Sequence, residues 1–288
     1  MRRIICLLLL LALPLLGGCE IINPPVTPGE GPGGNESPTA LPLLTTVVFS
    51  IGKADAILIH NEEHAILIDA GEVEDAAEVL AYLRREKIDR LDAMILTHYD
   101  KDHVGGAAGM VEGITIGAVY GTYESKQSAE YDQYAAALAQ KGLSATVVKE
   151  ATSLTYGDIS MTLYPPETTE YDTKESNNSS LVIHMTYGDT KYFFGGDAQE
   201  DRVAELLKLG TALDCDFMKV PYHGNAIKNL PALLEITTPE YAVITCSDKN
   251  PEDPTKTAAL RDAGARVFLS RAGNVYATSD GTTLRVRH

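Results

Sequence analysis

The stretch ILTHYDKDHVGG, residues 95–106, packs His98, Asp100, Asp102 and His103 into six positions between an apolar run and two glycines. Imidazole and carboxylate are natural ligands of a divalent ion, and alternate residues of an extended segment face one side. His98, Asp100 and Asp102 are therefore expected to face one spot, with His103, adjacent to Asp102, serving a neighbouring ion. Gly105 and Gly106 are expected to turn the backbone tightly into a helix whose N-terminus faces the site. The competing reading is a solvated polar loop, and what surrounds the stretch decides between them.

Upstream, TTVVFSIG (45–52), DAILIHN (55–61) and HAILIDAG (64–71) are short apolar runs with β-branched residues, separated by Gly, Asn and Asp. That is the pattern of buried strands. VEDAAEVLAYLRRE (73–86) sets Val73, Ala76, Ala77, Leu80 and Leu83 on one helical face. LDAMILTH (91–98) reads as the next strand, and GAAGMVEG (106–113) as a helix past the polar loop. Downstream, a helix is predicted over about 126–142, then strands over about 145–149, 158–164, 180–187 and 190–195. AQEDRVAELLKLG (198–210) reads as a helix with Gly210 at its C-terminal cap. DFMKVPYHG (216–224), YAVITCS (241–247), a helix near 255–263 and strands at RVFLS, NVYATS and TTLRVR complete the chain. Two strand-rich halves with interspersed helices predict an α/β fold, its sheets packed face to face under helices, in one domain over 43–288.

The chain opens with two arginines and a short apolar run broken by Pro14, ending LLGGC at Cys19. The run is too short and interrupted for a comfortable membrane span and predicts a secretory signal over 1–18. The small-small-Cys ending predicts a lipidated Cys19 after cleavage, which anchors a domain at a membrane without spanning it. Residues 19–42, rich in Pro, Gly, Ser and Glu, read as a flexible tether. The formal charge is −16, and −18 once Arg2 and Arg3 leave with the signal. Such a balance argues against an extended surface for duplex nucleic acid, which needs clustered lysines and arginines. It leaves room for a small molecule or a single phosphodiester held by metal cations. Beyond Cys19 only Cys215 and Cys246 remain, both in apolar strand-like runs, where a disulfide and two buried thiols are equally compatible.

Two further residues bear on the loop. Asp197 ends the run YFFGGDA (192–198); it is either a ligand or, with Glu200 three residues on, the cap of the next helix. His223 follows a buried run and precedes Gly224, where it is a candidate ligand. Asp69 reads as a support for the ligands, while Asp55 is undecided between support and turn residue. His60, His64 and His184 lie in strand-like runs and carry no assignment.

The loop, together with FSIGKADAILI (49–59), ILIDAG (66–71), NNSSLVI (177–183), YFFGGDA and MKVPYHGN (218–225), resembles the metallo-β-lactamase fold, specifically its competence-protein (ComEC-like) branch. The resemblance spans about 44–280 and implies a four-layer αβ/βα sandwich with a metal site at one edge of two sheets. It implies His98 and Asp100 at one metal position, Asp102 and His103 at a second, Asp197 bridging, and His223 as the last imidazole. Ser50, Lys53, Asp100 and Tyr222 depart from the branch pattern, which usually has Asp, Gln, His and His there. No histidine between the loop and Asp197 completes the first position, so Asn177, Asn178 or water is expected there. Oxygen-rich ligation shifts the balance toward Mn²⁺ or Mg²⁺, with Zn²⁺ still compatible. The implied activity is metal-dependent hydrolysis outside the cytoplasm, by two ions and an activated water, of a phosphodiester. Asp102 would orient the water or take a proton, and His223 or Tyr222 would steady the developing charge. Hydrolysis of a lactone, lactam or thioester, or a non-catalytic tethered binding module with a degenerate site, are the alternatives.

Overall fold

Apolar side chains on both faces of most strands dictate two sheets, each covered on both sides. The structure, a computed structural model, describes residues 41–123, 126–172 and 175–288. The expected signal segment, Cys19 and all but the last two residues of the expected tether lie outside the described residues.

The first sheet contains β1 (Leu44–Val48), β2 (Ile57–His60), β3 (Ala65–Ile68), β4 (Arg90–Leu96), β5 (Thr115–Gly121) and β6 (Ala145–Val147). It is completed by β14 (Val275–Ser279) and β15 (Leu284–Arg287), in the order β15-β14-β1-β2-β3-β4-β5-β6. The second sheet contains β7 (Thr152–Tyr156), β8 (Ile159–Tyr164), β9 (Val182–Tyr187), β10 (Thr190–Phe194), β11 (Phe217–Lys219), β12 (Tyr241–Ile244) and β13 (Arg266–Leu269), in the order β13-β12-β11-β10-β9-β8-β7. Each sheet is antiparallel on one side and parallel on the other: β3 to β6 run parallel in the first, β10 to β13 in the second.

Alternation within each strand assigns the layers. Ile57, Ile59, Ile66, Ile68 and Ile95 point between the sheets and meet Ile183, Phe194, Phe217 and Val243. Leu58, Leu67 and Met94 point the other way, against α1 (Ala76–Arg85), α3 (Ala107–Gly113) and α4 (Ala129–Lys141). On the far side, Phe193, Met218 and Ala242 pack under α6 (Glu200–Leu206), α7 (Leu230–Thr237) and α8 (Pro254–Asp262). The expected αβ/βα sandwich is the observed fold. Two single-turn helices, α2 (Lys101–Val104) and α5 (Glu175–Asn178), lie in the loops described below.

Two local expectations are corrected, and one strand had none. α1 begins at Ala76, behind a 3₁₀ turn over Val73–Asp75, so Val73 and Ala77 are exposed and Val79 and Tyr82 join Ala76 and Leu83 on the buried face. The chain from 198 to 210 is not one helix capped by Gly210. α6 stops at Leu206, and Gly210 (φ 57°, ψ −141°) kinks a 3₁₀ run over Leu207–Leu213. β7, TSLTY, had no expectation, because an edge strand with polar and half-exposed residues lacks the apolar signature. Cys215 and Cys246 are both buried free thiols.

Candidate metal centre

Strand ends from both sheets meet here. Asp69 follows β3, and Thr97 and His98 follow β4 in the first sheet. Asp197 follows β10, His223 lies just past β11, and Thr245 follows β12 in the second. All are carboxyl ends of parallel strands, the customary place for a site in an α/β sheet.

Asp102, His103, Asp197 and His223 each offer a ligand atom within 4.8 Å of the others. Asp197 Oδ1 lies 3.4 Å from His103 Nε2 and 3.2 Å from His223 Nε2; Asp102 Oδ2 lies 3.5 Å from His223 Nε2. His98 and Asp100 adjoin this group, with His98 Nε2 3.8 Å from Asp100 Oδ2 and the His98 ring 4.1 Å from that of His103. The six residues expected from the sequence thus stand at one place, four as a tight group and two as a flanking pair.

The hydrogen bonds behind the imidazoles determine what faces the centre. Thr97 Oγ1 donates its proton to Asp69 Oδ2 (2.7 Å), so toward His98 Nδ1 (3.1 Å) it accepts. His103 Nδ1 meets Asp69 Oδ2 directly at 2.8 Å. Thr245 Oγ1 donates to Asp55 Oδ1 (2.7 Å) and accepts from His223 Nδ1 (2.8 Å). Every Nδ1 therefore carries the proton, which aims a bare Nε2 inward, the tautomer a metal requires. His98 Nε2, His103 Nε2, His223 Nε2 and Asp197 Oδ1 are all buried without a hydrogen-bond partner. Leaving one such group unmet costs about 1–3 kcal/mol, and four converging is a fit for a cation. Asp55, Asp69 and His103 also cluster, but Thr97, Thr245 and Lys219 engage both carboxylates.

Charge shifts follow from the same geometry. Burial, with His103 alongside, pushes His98 down to about 4. Burial opposes charge on His103 and His223 as well, yet Asp197 prevails and holds both above the ordinary imidazole value. Burial would raise the Asp197 carboxyl, but His223 and His103 keep it well below the usual carboxylate range. The carboxylates demand positive charge at this point, and a divalent ion meets that demand.

Local backbone explains the placement. Asp69, Tyr222 and His223 all have left-handed φ (56°, 52° and 52°), a strain of roughly 1–3 kcal/mol each at a non-glycine residue. Tyr222 N–H donates to Gly196 O (3.1 Å), tying the His223 turn to the Asp197 turn. Gly105 and Gly106 have helical φ rather than the unusual angles of a tight turn. They are needed for close approach, because a Cβ on Gly106 would lie 2.1 Å from Ala70 O. Ala70 N–H reaches His103 O at 2.8 Å across the same contact.

Several working residues carried no sequence assignment. Lys219 is fully buried; its Nζ pairs with Asp55 Oδ2 and donates to Gly196 O (3.0 Å). Its signal was a lysine inside the apolar run FMKV. Asp55, undecided in sequence, is thereby a support. Ser180 Oγ accepts from Asp197 N–H at 3.1 Å. Asn178 does not complete the first metal position: its Oδ1 accepts from Gln199 N–H (3.2 Å) and Arg202 N–H (3.3 Å), which pins the start of α6. The N-cap residue of α6 is Gln199, so Asp197 is not the cap. Asp100 Oδ1 is engaged by Lys126 Nζ (2.8 Å) and Ser176 Oγ, leaving Oδ2 toward His98. His184 is elsewhere, its Nε2 on Asp214 O at 2.9 Å.

The chain is 25% identical over 172 residues to the ComE operon protein 3 of Bacillus subtilis, 60% of this chain and 22% of that one. It is 38% identical over 69 residues to a hydroxyacylglutathione hydrolase of Nitrosomonas europaea, 24% of each. The chain thus spans about a quarter of the length of these curated relatives. The metallo-β-lactamase fold protein YhfI of Bacillus subtilis superposes with a TM-score of 0.56 at 14% identity, over 82% of this chain and all of that one, a likeness of fold. Residues 51–247 match the family model described as the metallo-beta-lactamase superfamily, and the chain belongs to that superfamily.

Proposed function

We propose that the chain is an extracytoplasmic metal-dependent hydrolase that cleaves a phosphodiester with two divalent ions and is held at a membrane through lipidated Cys19. The observation that carries the activity is the convergence of four buried, unpartnered ligand atoms beside the partly exposed carboxylates of Asp100 and Asp102. His98 and Asp100 would hold one ion, Asp102, His103 and His223 the other, with Asp197 between them. Divalent ions bound there lower the pKa of water toward neutrality and polarise a phosphoryl oxygen.

The chain's own residues do the rest. Asp69 and Thr97 fix His98 and His103, and Asp55 with Thr245 fixes His223, so that no ligand has to reorient. Asp102, its side chain 20% exposed, is within reach of solvent and orients the attacking water or takes its proton. His223, fully buried with its Nδ1 proton on Thr245 Oγ1 and its Nε2 toward the ions, serves as a ligand and has no donor left for developing charge. The Asp100 half suits Mn²⁺ or Mg²⁺, the imidazole-rich half Zn²⁺ as well.

The choice of a phosphodiester is supported by the competence relative, which aligns over 60% of this chain against 24% for the hydroxyacylglutathione hydrolase. The higher identity of that shorter match favours thioester hydrolysis as the second reading. The test is metal analysis of the purified protein together with cleavage of bis(p-nitrophenyl) phosphate in Mn²⁺. Two ions per chain, and cleavage abolished in His98→Ala and Asp197→Ala, are expected. Fewer than one ion per chain after Mn²⁺ or Zn²⁺ loading would sink the dinuclear reading, and cleavage of a thioester or lactone alone would install the second.

A further inference from the structure

Two of the departures from the branch pattern, Lys53 and Tyr222, lie 169 residues apart in sequence and touch in the fold, with the Lys53 ammonium 5.4 Å from the Tyr222 ring centre. Neither is buried with the ligands; both are partly exposed. Tyr222 directly precedes His223, and its left-handed backbone sets its direction. Lys53 sits two residues before Asp55, whose N–H bonds to Asp102 O at 3.0 Å. Gly52, at φ 83°, has nothing within 4 Å of a would-be Cβ, so the turn carrying Lys53 is open. The pair is therefore tied to two residues of the centre, to His223 through Tyr222 and to Asp102 through the backbone at Asp55. Among the described residues Lys53 makes no ion pair, whereas Lys126 is engaged by Asp100. An ammonium resting on an aromatic face keeps its N–H donors for a ligand.

We propose that Lys53, poised over Tyr222, receives a second anionic group of the substrate, a phosphate adjoining the scissile phosphodiester; the proposal rests on the phosphodiesterase reading above. In a chain of net charge −16, a cation beside the site is what such a substrate requires. Tyr222 acts as a positioning residue through Lys53.

Calorimetry on Mn²⁺-loaded protein compares thymidine 3′,5′-bisphosphate with thymidine 5′-monophosphate. The bisphosphate is expected to bind about tenfold tighter to the natural chain, the scale of one charged hydrogen bond. Lys53→Met should erase that difference, Lys53→Arg restore it, Tyr222→Phe keep it and Tyr222→Leu reduce it, all with unchanged metal content. In steady state, Lys53→Met should raise KM about tenfold for thymidylyl-thymidine bearing a 5′-phosphate, leave kcat within twofold, and spare KM for the dinucleotide lacking it. Equal affinities for the two ligands, or a difference that survives Lys53→Met, overturns the proposal. Failure to cleave any phosphodiester while the calorimetric difference persists strikes the phosphodiesterase reading and leaves the anion site supported.

Discussion

The carboxylate of Asp55 and the ammonium of Lys219 form an ion pair in which neither side chain is more than 1% exposed. Burial favours the neutral form of each, but the partner prevails: Lys219 titrates above its ordinary value and Asp55 below. Removing one partner strands the other charge, at a cost of about 3–5 kcal/mol. Lys219→Met should lower unfolding stability by that amount in urea titration of the metal-free protein. Asp55→Leu combined with Lys219→Met should cost less than the sum of the singles, because neither charge is then left alone.

Thr97 joins Asp69 to His98, donating to the carboxylate while accepting from the imidazole. Thr97→Val keeps the shape and removes the hydroxyl. Loss of such an outer support typically weakens metal affinity 10–100-fold. Chelator competition should show that drop with little change in secondary structure by circular dichroism; unchanged affinity refutes the tautomer assignment for His98.

Gly106 and Gly142 should respond differently to alanine. A Cβ on Gly106 meets the Ala70 carbonyl at 2.1 Å, backbone against backbone. Gly142, with φ 68° and open space, ends α4 in the left-handed conformation. Gly106→Ala should cost about 3 kcal/mol or more and disturb metal binding. Gly142→Ala should cost about 1 kcal/mol and leave metal binding intact. Thermal melts paired with metal content separate the two.

Asp75 supplies a pH dependence away from the centre. Burial, with Glu74, Glu72 and Glu78 nearby, raises its carboxyl to about 6, while the Glu72 N–H works to lower it. The folded pKa exceeds the unfolded one, so the native state holds the proton more tightly and stability falls as pH rises from about 4 to about 6. Asp75→Asn retains an acceptor for the Glu72 N–H and removes that fall. The melting temperature of the variant relative to the natural chain should rise across this window; a flat difference is the contrary result.

On the proposed lipid anchor, Cys19→Ser should move the full 288-residue chain from the membrane fraction to the soluble one. Unchanged partitioning would rule out the lipid anchor.

The sandwich was legible because strands such as ILIH and AILI are apolar on both faces, which only a covered sheet satisfies. The candidate ligands were legible because ligand chemistry is written in the side chain and the loop clusters four such residues in six positions. Of their supports only Asp69 was: Thr97, Thr245 and Ser180 are ordinary residues after or near strand ends, with partners distant in sequence. Asn178 misled for the same reason, since an amide suits a metal or a helix start equally and only position decides. The start of α1 was misplaced because a 3₁₀ turn and the first turn of an α-helix share their local pattern.

The centre draws Asp69, His98 and His103 from the first sheet's strand ends and Asp197 and His223 from the second's. Neither sheet holds a complete ligand set. An ion seated there would be held from both sheets and would clasp the seam between them. Stripping it would loosen the halves from each other before it frayed either one, so hydrogen exchange should rise first along the edges of β4 and β10 that face the centre.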